Sequence, residues 1–285
     1  MSDLSAGDVA RELSQKSLLS DDPPFIPGIV ASADGHSPWD DALRGLRRQR
    51  IIAAGLFVCT CLSTFLVGAF GREVWPDPSY WDEFLETDLR DFCYRGLSFA
   101  AAMMGFLIAH EAGHFLQMRR YKVWSGWPYF LPFPLNMFGT LGAVIPVHPS
   151  SVNRREMFDI AITGPLAGLA VVVPLLLWCV SDGRIVPVPQ GVRVLHHPLL
   201  VQGMIWSLHG PLPAGHDLLS IPLARACWAG LFITGLNLLP FGVFDGGHVL
   251  QALAPHSARR IARSIFFAST LAALLAGYFW DGQYA

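Results

Sequence analysis

The chain has 285 residues, of which 52% are hydrophobic and only 15% charged, and its mean hydropathy is +0.40. Because soluble domains carry about 25% charged residues, this composition excludes an ordinary soluble globule, and it equally excludes a disordered or collagen-like chain. The net charge of −2 provides no basic field for holding nucleic acid, so we expect no nucleic-acid partner.

Five apolar segments are long enough to be membrane helices, which need about 20 mostly apolar residues each. We predict spans at residues 51–70, 93–118, 157–180, 226–253 and 261–280. Residues 1–50 are expected to form a cytoplasmic tail that is flexible in part, and 51–280 a single membrane-embedded domain. The sequence therefore predicts an all-α polytopic membrane protein with about five transmembrane helices.

Residues 130–147, between the second and third spans, are apolar but rich in Pro and Gly. This segment is too interrupted for a helix and too apolar for an exposed loop. Free backbone polar groups cannot face lipid. We therefore predict short strands or a re-entrant segment packed against protein.

The distribution of Lys and Arg predicts the orientation of the chain. With five alternating spans, 14 of the 20 basic residues fall on the side of the amino terminus, which is expected to be cytoplasmic. The tail has no cleavable signal pattern, and its early acids, Asp3, Asp8 and Glu12, argue against a transit peptide. We expect an integral, multi-pass protein of a bacterial inner membrane.

The second span contains the sequence His110-Glu111-Ala-Gly-His114. On a helix, residues i and i+4 share a face, so both imidazoles can reach one metal ion while Glu111 lies beside them. Catalytic zinc takes three protein ligands and keeps a position for water, whose pKa it lowers. Ionisable residues within a span are functional by default. The pattern indicates metal-assisted peptide hydrolysis; the alternative is a satisfied His–Glu cluster or a snorkelling helix end.

A third ligand is expected from Asp245, the one well-placed acid in the apolar spans. Pro240 must break or kink the fourth span, and Gly242, Gly246 and Gly247 permit close backbone approach. A broken intramembrane helix can aim a carboxylate at a metal and expose Asn237 to a substrate strand. The alternative for Asp245 is a turn cap at the cytoplasmic end of the helix.

Together these motifs resemble the site-2 protease family of intramembrane zinc metalloproteases, peptidase family M50. His110 to His114 is similar to the family's HExxH motif, residues 163–168 (Thr-Gly-Pro-Leu-Ala-Gly) to its small-residue segment, and Asn237, Pro240 and Asp245-Gly246 to its NxxPxxxxDG motif. Residues 138–143 and His197-Pro198 resemble the branch that includes the plant chloroplast members. The resemblance covers residues 105–253.

This resemblance implies a three-helix catalytic core made of the second, third and fourth spans, flanked by the first and fifth. It implies that His110, His114 and Asp245 bind one Zn²⁺ per chain. Glu111 would act as the general base and then as the proton donor to the leaving amine.

The resemblance also implies that Asn237, in the motif with Pro240, holds the extended substrate backbone or steadies the oxyanion. Gly139, Thr140 and Gly142 would lie in a segment beside the substrate, whose backbone can pair with an exposed strand edge. The expected substrate is a transmembrane segment of another membrane protein in the lipid bilayer. Its cleavage would serve regulated intramembrane proteolysis or the clearance of remnant signal peptides.

Other classes of function remain to be separated from this one. A non-catalytic chaperone or adaptor that binds membrane helices would need neither Glu111 nor a complete ligand set. A di-iron oxidase would need about eight clustered His, and a transporter would leave the HExxH motif unexplained. The stretch between the third and fourth spans is too short for a PDZ module. The sequence does not indicate an oligomeric state.

Overall fold

A computed structural model describes residues 38–70, 88–146, 152–187, 197–218, 221–242 and 244–281. Most of the predicted tail lies outside these residues. The described chain forms seven helices: α1 (Pro38–Phe70), α2 (Leu89–Arg120), α3 (Arg154–Ser181), α4 (Leu199–His209), α5 (Pro222–Asn237), α6 (Asp245–Leu253) and α7 (Ala258–Asp281). It also forms two antiparallel pairs of short strands, β1 (Tyr129–Pro132) with β2 (Thr140–Val144), and β3 (Ile185–Pro187) with β4 (His216–Leu218).

Three helices of the described residues are long and apolar enough to cross a membrane: Arg47–Phe70 within α1, α2 and α3. They contain the first three predicted spans and extend each by a few residues. Helix α3 begins at a capping box, in which the side chain of Asn153 accepts a bond from the Glu156 amide while the Glu156 carboxylate accepts one from the Asn153 amide. Helix α7 covers the fifth predicted segment. The total of five spans stays a prediction.

The fourth predicted span is two helices rather than one. Helix α5 ends at Asn237 and α6 begins at Asp245, because Pro240 has no amide hydrogen to continue the ladder and Gly242 adopts a positive φ of 41°. The 16 residues of α5 extend about 24 Å at 1.5 Å per residue, which is less than the hydrocarbon core of about 30 Å. The predicted interruption is therefore present, and it separates Asp245 from α5 by a turn.

The apolar segment between the second and third spans forms the hairpin of β1 and β2, as one of the two predicted alternatives stated. Strand β1 packs on α1, and β2 also contacts α2. The hydroxyl of Ser63 on α1 donates a hydrogen bond of 2.6 Å to the carbonyl of Gly139 in the hairpin turn. Gly139 has a φ of 73°, and a Cβ at this position would press on the backbone of Thr64. The hairpin is thus fixed to α1.

The stretch between α3 and α5 contains the short helix α4 and the β3–β4 pair. Val201, Met204 and Ile205 of α4 are buried, and the ring of His209 lies 2.6 Å from the carbonyl oxygen of Val180 on α3. His197 pairs with Asp217 of β4 at 2.9 Å. Sequence reasoning missed these elements because none carries a long periodic pattern.

Helix α2 occupies the centre of the bundle, where it packs against α1, α3 and α5. Its residues Met103 and Phe106 are fully buried, with no solvent-exposed surface. Three helices therefore surround the helix that carries the HExxH motif. This arrangement buries His110, Glu111 and His114 within the protein and protects them from lipid.

Candidate metal centre

Helix α2 presents the two histidines of the HExxH motif on one face, one turn apart. His110 and His114 are 3% and 9% exposed, and their Nε2 atoms lie 3.1 Å from each other. Two imidazole nitrogens at this separation can bind the same ion.

The first residue of α6 completes the cluster. Asp245 Oδ2 lies 3.3 Å from Nε2 of His110, and Oδ1 lies 3.4 Å from Nε2 of His114. A tetrahedral zinc ion with bonds of 2.0–2.1 Å sets its ligand atoms about 3.3 Å apart. The break after α5 therefore brings the carboxylate to both imidazoles, and one ligand atom from each of the three residues lies within 4.8 Å of the others.

Two further observations show that these residues fit a metal ion. Asp245 Oδ2 is buried and receives no hydrogen bond from the described residues, although a buried carboxylate oxygen needs a partner. The Nδ1–H of His114 donates a bond of 2.7 Å to the carbonyl of Ile160 on α3. This bond directs the lone pair of Nε2 towards Asp245 and His110, as is usual for histidine ligands of metals.

Glu111 lies beside the three ligands without belonging to the cluster. Its side chain is buried at 7% exposure and interacts electrostatically with both histidines and with Asp245. The carboxylate is therefore close to the metal position and left available to take up or give a proton.

Small residues on α3 make room for the ligand helix. A methyl group at Gly164 would overlap the ring of His114, and one at Gly168 would press on Phe106. Conversely, a methyl group at Gly113 of α2 would strike the carbonyl of Thr163. The sequence favours a packing role for Gly164 and Gly168, and in the structure Gly164 packs directly against a ligand.

The predicted substrate residues divide between the metal cluster and the hairpin. Asn237, the last residue of α5, places its amide Nδ2 3.4 Å from Nε2 of His110. Pro240 lies in the turn that follows, where it separates α5 from α6 and brings Asp245 round to the histidines. The structure therefore brings Asn237 to the ligands and assigns Pro240 a role in the turn.

Gly139, Thr140 and Gly142 all lie in the hairpin. The Thr140 hydroxyl donates to the carbonyl of Leu131 at 2.9 Å and accepts from the amide of Gly142 at 2.9 Å, so it supports the hairpin itself. Gly142 has a φ of 99° and open space where a side chain would be. Leu141, between them, is 63% exposed. The exposed side chains of β2 are therefore those of Leu141 and Val144.

Sequence reasoning missed two supports of the centre. The carbonyl of Ile160 holds His114, and any residue supplies such a carbonyl, so no sequence signal marks it. Nearby, the phenol of Tyr121 donates a hydrogen bond to Asp159, which joins the end of α2 to the first turns of α3. A polar pair near the ends of two predicted spans is the signal that would have suggested this bond.

Known proteins match the part of the chain that contains this centre. The model of peptidase family M50 matches residues 98–277. "Probable zinc metalloprotease EGY1, chloroplastic" of Oryza sativa subsp. japonica is 34% identical over 57% of this chain and 29% of its own length. "Probable zinc metalloprotease EGY2, chloroplastic" of Oryza sativa subsp. indica is 33% identical over 58% of this chain and 30% of its own length.

The corresponding EGY1 of Arabidopsis thaliana is 33% identical over 57% of this chain. The alignment spans only about 30% of the length of these curated relatives. No solved structure matches the chain. The family model covers more than half of the chain, from within α2 into α7. The chain therefore belongs to peptidase family M50, the site-2 protease family.

Proposed function

We propose that this protein is an intramembrane zinc metalloprotease that hydrolyses peptide bonds in or near the transmembrane segments of other membrane proteins. The observation that supports this proposal most directly is the cluster of His110, His114 and Asp245: the two Nε2 atoms lie 3.1 Å apart, and Oδ2 and Oδ1 of Asp245 lie 3.3 and 3.4 Å from Nε2 of His110 and His114. This cluster lies inside a bundle with three helices long enough to span a membrane. The names of the chloroplast relatives support zinc as the metal.

Each residue of the centre has a distinct part in this proposal. Zinc bound by the three ligands would supply Lewis-acid polarisation of the scissile carbonyl and a lowered pKa of the attacking water. The Glu111 carboxylate takes the proton of that water and gives it to the leaving amine nitrogen. Asn237 holds the substrate backbone next to His110. The Ile160 carbonyl keeps the His114 ring in its ligand orientation.

The substrate is proposed to bind as an extended segment along β2. Among the described residues, β2 pairs with one strand, β1, which packs on α1. A peptide whose helix has unwound can pair with the other edge through main-chain hydrogen bonds. Cleavage near the cytoplasmic side would then release a cytoplasmic domain or clear a remnant signal peptide.

The proposed orientation places the amino terminus and the metal centre on the cytoplasmic side of a bacterial inner membrane. Arg119 and Arg120 follow His114 on α2, and Arg154 and Arg155 begin α3, so basic residues lie at the helix ends nearest the centre. Such residues remain in the cytoplasm.

Paired measurements on purified protein test the proposed function. Zinc per chain and cleavage of a panel of single-span membrane substrates are measured for the wild type, Glu111→Gln and His114→Asn. His216→Asn is the matched control, because His216 is exposed and its Nδ1 contacts the carbonyl of Ala214 in the β3–β4 region. We expect one zinc and cleavage in the wild type and control, zinc without cleavage in Glu111→Gln, and loss of both in His114→Asn.

One outcome would contradict the proposed function, and another would favour the alternative function. A folded wild type without metal contradicts the metal centre. One zinc per chain without cleavage in either the wild type or Glu111→Gln favours the alternative, a membrane-helix-binding chaperone or adaptor that retains the metal site. Inhibition of the wild type by a chelator, and recovery on adding zinc, separates the protease from a contaminating enzyme.

The strand-pairing step has its own test. Leu141→Pro removes one amide hydrogen from β2, whereas Leu141→Ala shortens the same side chain and keeps the amide. We expect Leu141→Pro to reduce cleavage strongly while zinc stays bound, and Leu141→Ala to retain it, because pairing depends on the main chain. Equal cleavage by the two variants would contradict substrate pairing with β2.

A further inference from the structure

Three stacked aromatic rings join the β1–β2 hairpin to α5. The Phe138 and Phe232 ring centroids lie 5.5 Å apart with an interplanar angle of 29°. The Trp228 ring stacks on Phe232 at 5.6 Å and 6°. Phe138 belongs to the hairpin turn, while Phe232 and Trp228 lie one turn apart on α5. The stack therefore bridges two elements that both carry proposed substrate residues.

Phe138 and Phe232 each lie close in sequence to a proposed substrate residue. Strand β1 packs on α1 and pairs with β2, so the edge of β2 that no described strand covers is the one opposite β1. Phe138 precedes Thr140 of β2 by two residues, and Phe232 precedes Asn237 by five. A chain bound between β2 and the end of α5, where Asn237 contacts His110, would therefore lie beside these rings.

The contact between the rings of Phe138 and Phe232 is weak enough to open. Phe232 is 42% exposed and Phe138 half-buried, so the pair lies at the surface of the bundle. The hydrogen bonds described for the hairpin turn end within the hairpin or on Ser63 of α1. Stacked rings attract each other weakly compared with a packed core. The two rings can therefore separate without breaking the anchorage of the hairpin.

Building on the proposed function, we propose that Phe138 and Phe232 form a gate between β2 and α5 through which the substrate segment enters from the membrane. The incoming segment parts the two rings, lies along β2, and places an apolar side chain against the face of Phe232 that Phe138 occupies in the closed state. The gate therefore selects segments that are unwound and carry a large apolar residue on the side of α5.

A tethering experiment tests the gate on the zinc-loaded protein. The five native cysteines are replaced by Ala, Glu111→Gln prevents turnover, and Phe138→Cys with Phe232→Cys is closed by a short bismaleimide. The matched control, Phe65→Cys with Phe92→Cys, replaces a half-buried ring pair 5.7 Å apart that joins α1 to α2. The probe is a leucine-rich single-span peptide with a central Asn-Pro break and a benzophenone at that break, and photocapture is measured in vesicles.

We expect loss of capture on tethering Phe138→Cys to Phe232→Cys, with zinc retained, and unchanged capture on tethering the control pair. Untethered Phe138→Ala, which opens the gate without a crosslink and keeps the face of Phe232, should capture the probe faster than the parent. Equal capture by the two tethered proteins overturns the gate, as does absence of capture by the untethered parent. Capture by the protein that keeps Glu111, without cleavage, would instead count against the proposed hydrolysis and leave the gate standing.

Discussion

At the scale of single residues, the metal centre depends on a missing side chain as well as on its ligands. The ring of His114 lies against Gly164, where the Cβ of any other residue would overlap it. The Nδ1–H of the same ring donates a hydrogen bond to the carbonyl of Ile160. His114 is therefore positioned by two backbone sites of α3, four residues apart.

We expect Gly164→Ala to weaken zinc binding about 10- to 100-fold, the loss that follows when the supports of a metal ligand are disturbed. The added methyl group must push the imidazole away from Asp245. Gly105→Ala on α2 is the control, because nothing lies within 4 Å of the Cβ position there. Zinc competition against a chelating dye measures both, and equal affinities would show that α3 can shift to accommodate the methyl group.

A second residue-scale prediction concerns Tyr121. Its hydrogen bond to Asp159 raises the pKa of the phenol, because ionisation would break the bond and place two negative charges together. A raised pKa in the folded state stabilises the protein fully below the unfolded pKa of about 10. This contribution is lost as the pH rises through the folded pKa.

Unfolding in detergent of the wild type and Tyr121→Phe, followed as a function of pH, measures the Tyr121 contribution. We expect the wild type to be more stable below pH 10, by a difference that is constant there and shrinks at higher pH. A difference that does not change with pH would assign the loss to packing of the phenol oxygen rather than to the bond with Asp159.

At the scale of elements, the break between α5 and α6 is what completes the centre. A continuous helix through residues 226–253 would carry Asp245 away from Asn237 by eight residues, about 12 Å along the axis. The turn brings both to His110. The N-terminal position of Asp245 on α6 also favours its negative charge, since the helix dipole is positive there.

The start of α3 offers a prediction at the same scale. Asn153→Ala removes the capping box that begins the helix, and we expect a loss of about 1 kcal/mol in the free energy of unfolding. Ser181→Ala, at the other end of α3, is the control, because its hydroxyl donates only within its own helix, to Trp178. Thermal unfolding in detergent compares the stability of the two variants. Equal losses would show that the Asn153 capping box does not stabilise the protein beyond an ordinary hydroxyl bond.

At the scale of the whole molecule, the central position of α2 explains how polar residues are tolerated in a membrane. Ionisable groups within a span are costly unless they face the interior of the bundle. Helices α1, α3 and α5 surround α2, so His110, Glu111 and His114 are buried while Leu97, Ile108 and Leu116 remain exposed on its outer face. The fold thus keeps these three polar residues out of contact with the lipid.

The proposed orientation predicts opposite labelling of two exposed positions. Lys122 follows α2 and Arg184 follows α3, so they lie on opposite sides if α3 crosses the membrane once. In a cysteine-free background, Arg184→Cys should react with a membrane-impermeant maleimide added to intact cells, and Lys122→Cys should react only after lysis. The reverse pattern would contradict a cytoplasmic amino terminus.

The sequence by itself predicted the membrane class, the positions of the three long helices, the candidate ligands His110, His114 and Asp245, and the resemblance to the family. These follow from local signals: apolar runs of sufficient length, two histidines four residues apart, and a proline that must interrupt a helix. Each depends on neighbouring residues in the chain, so each can be read without the fold.

Only the tertiary structure decided how these parts meet. The distances between Asp245 and the two histidines, the support of His114 by the Ile160 carbonyl, and the ring stack of Phe138, Phe232 and Trp228 join residues between 4 and 135 positions apart in sequence. Backbone carbonyls and glycine surfaces are present in every helix, and their role depends on which helix packs against them. That pairing is set by side-chain packing across the whole bundle, and no local pattern in the sequence specifies it.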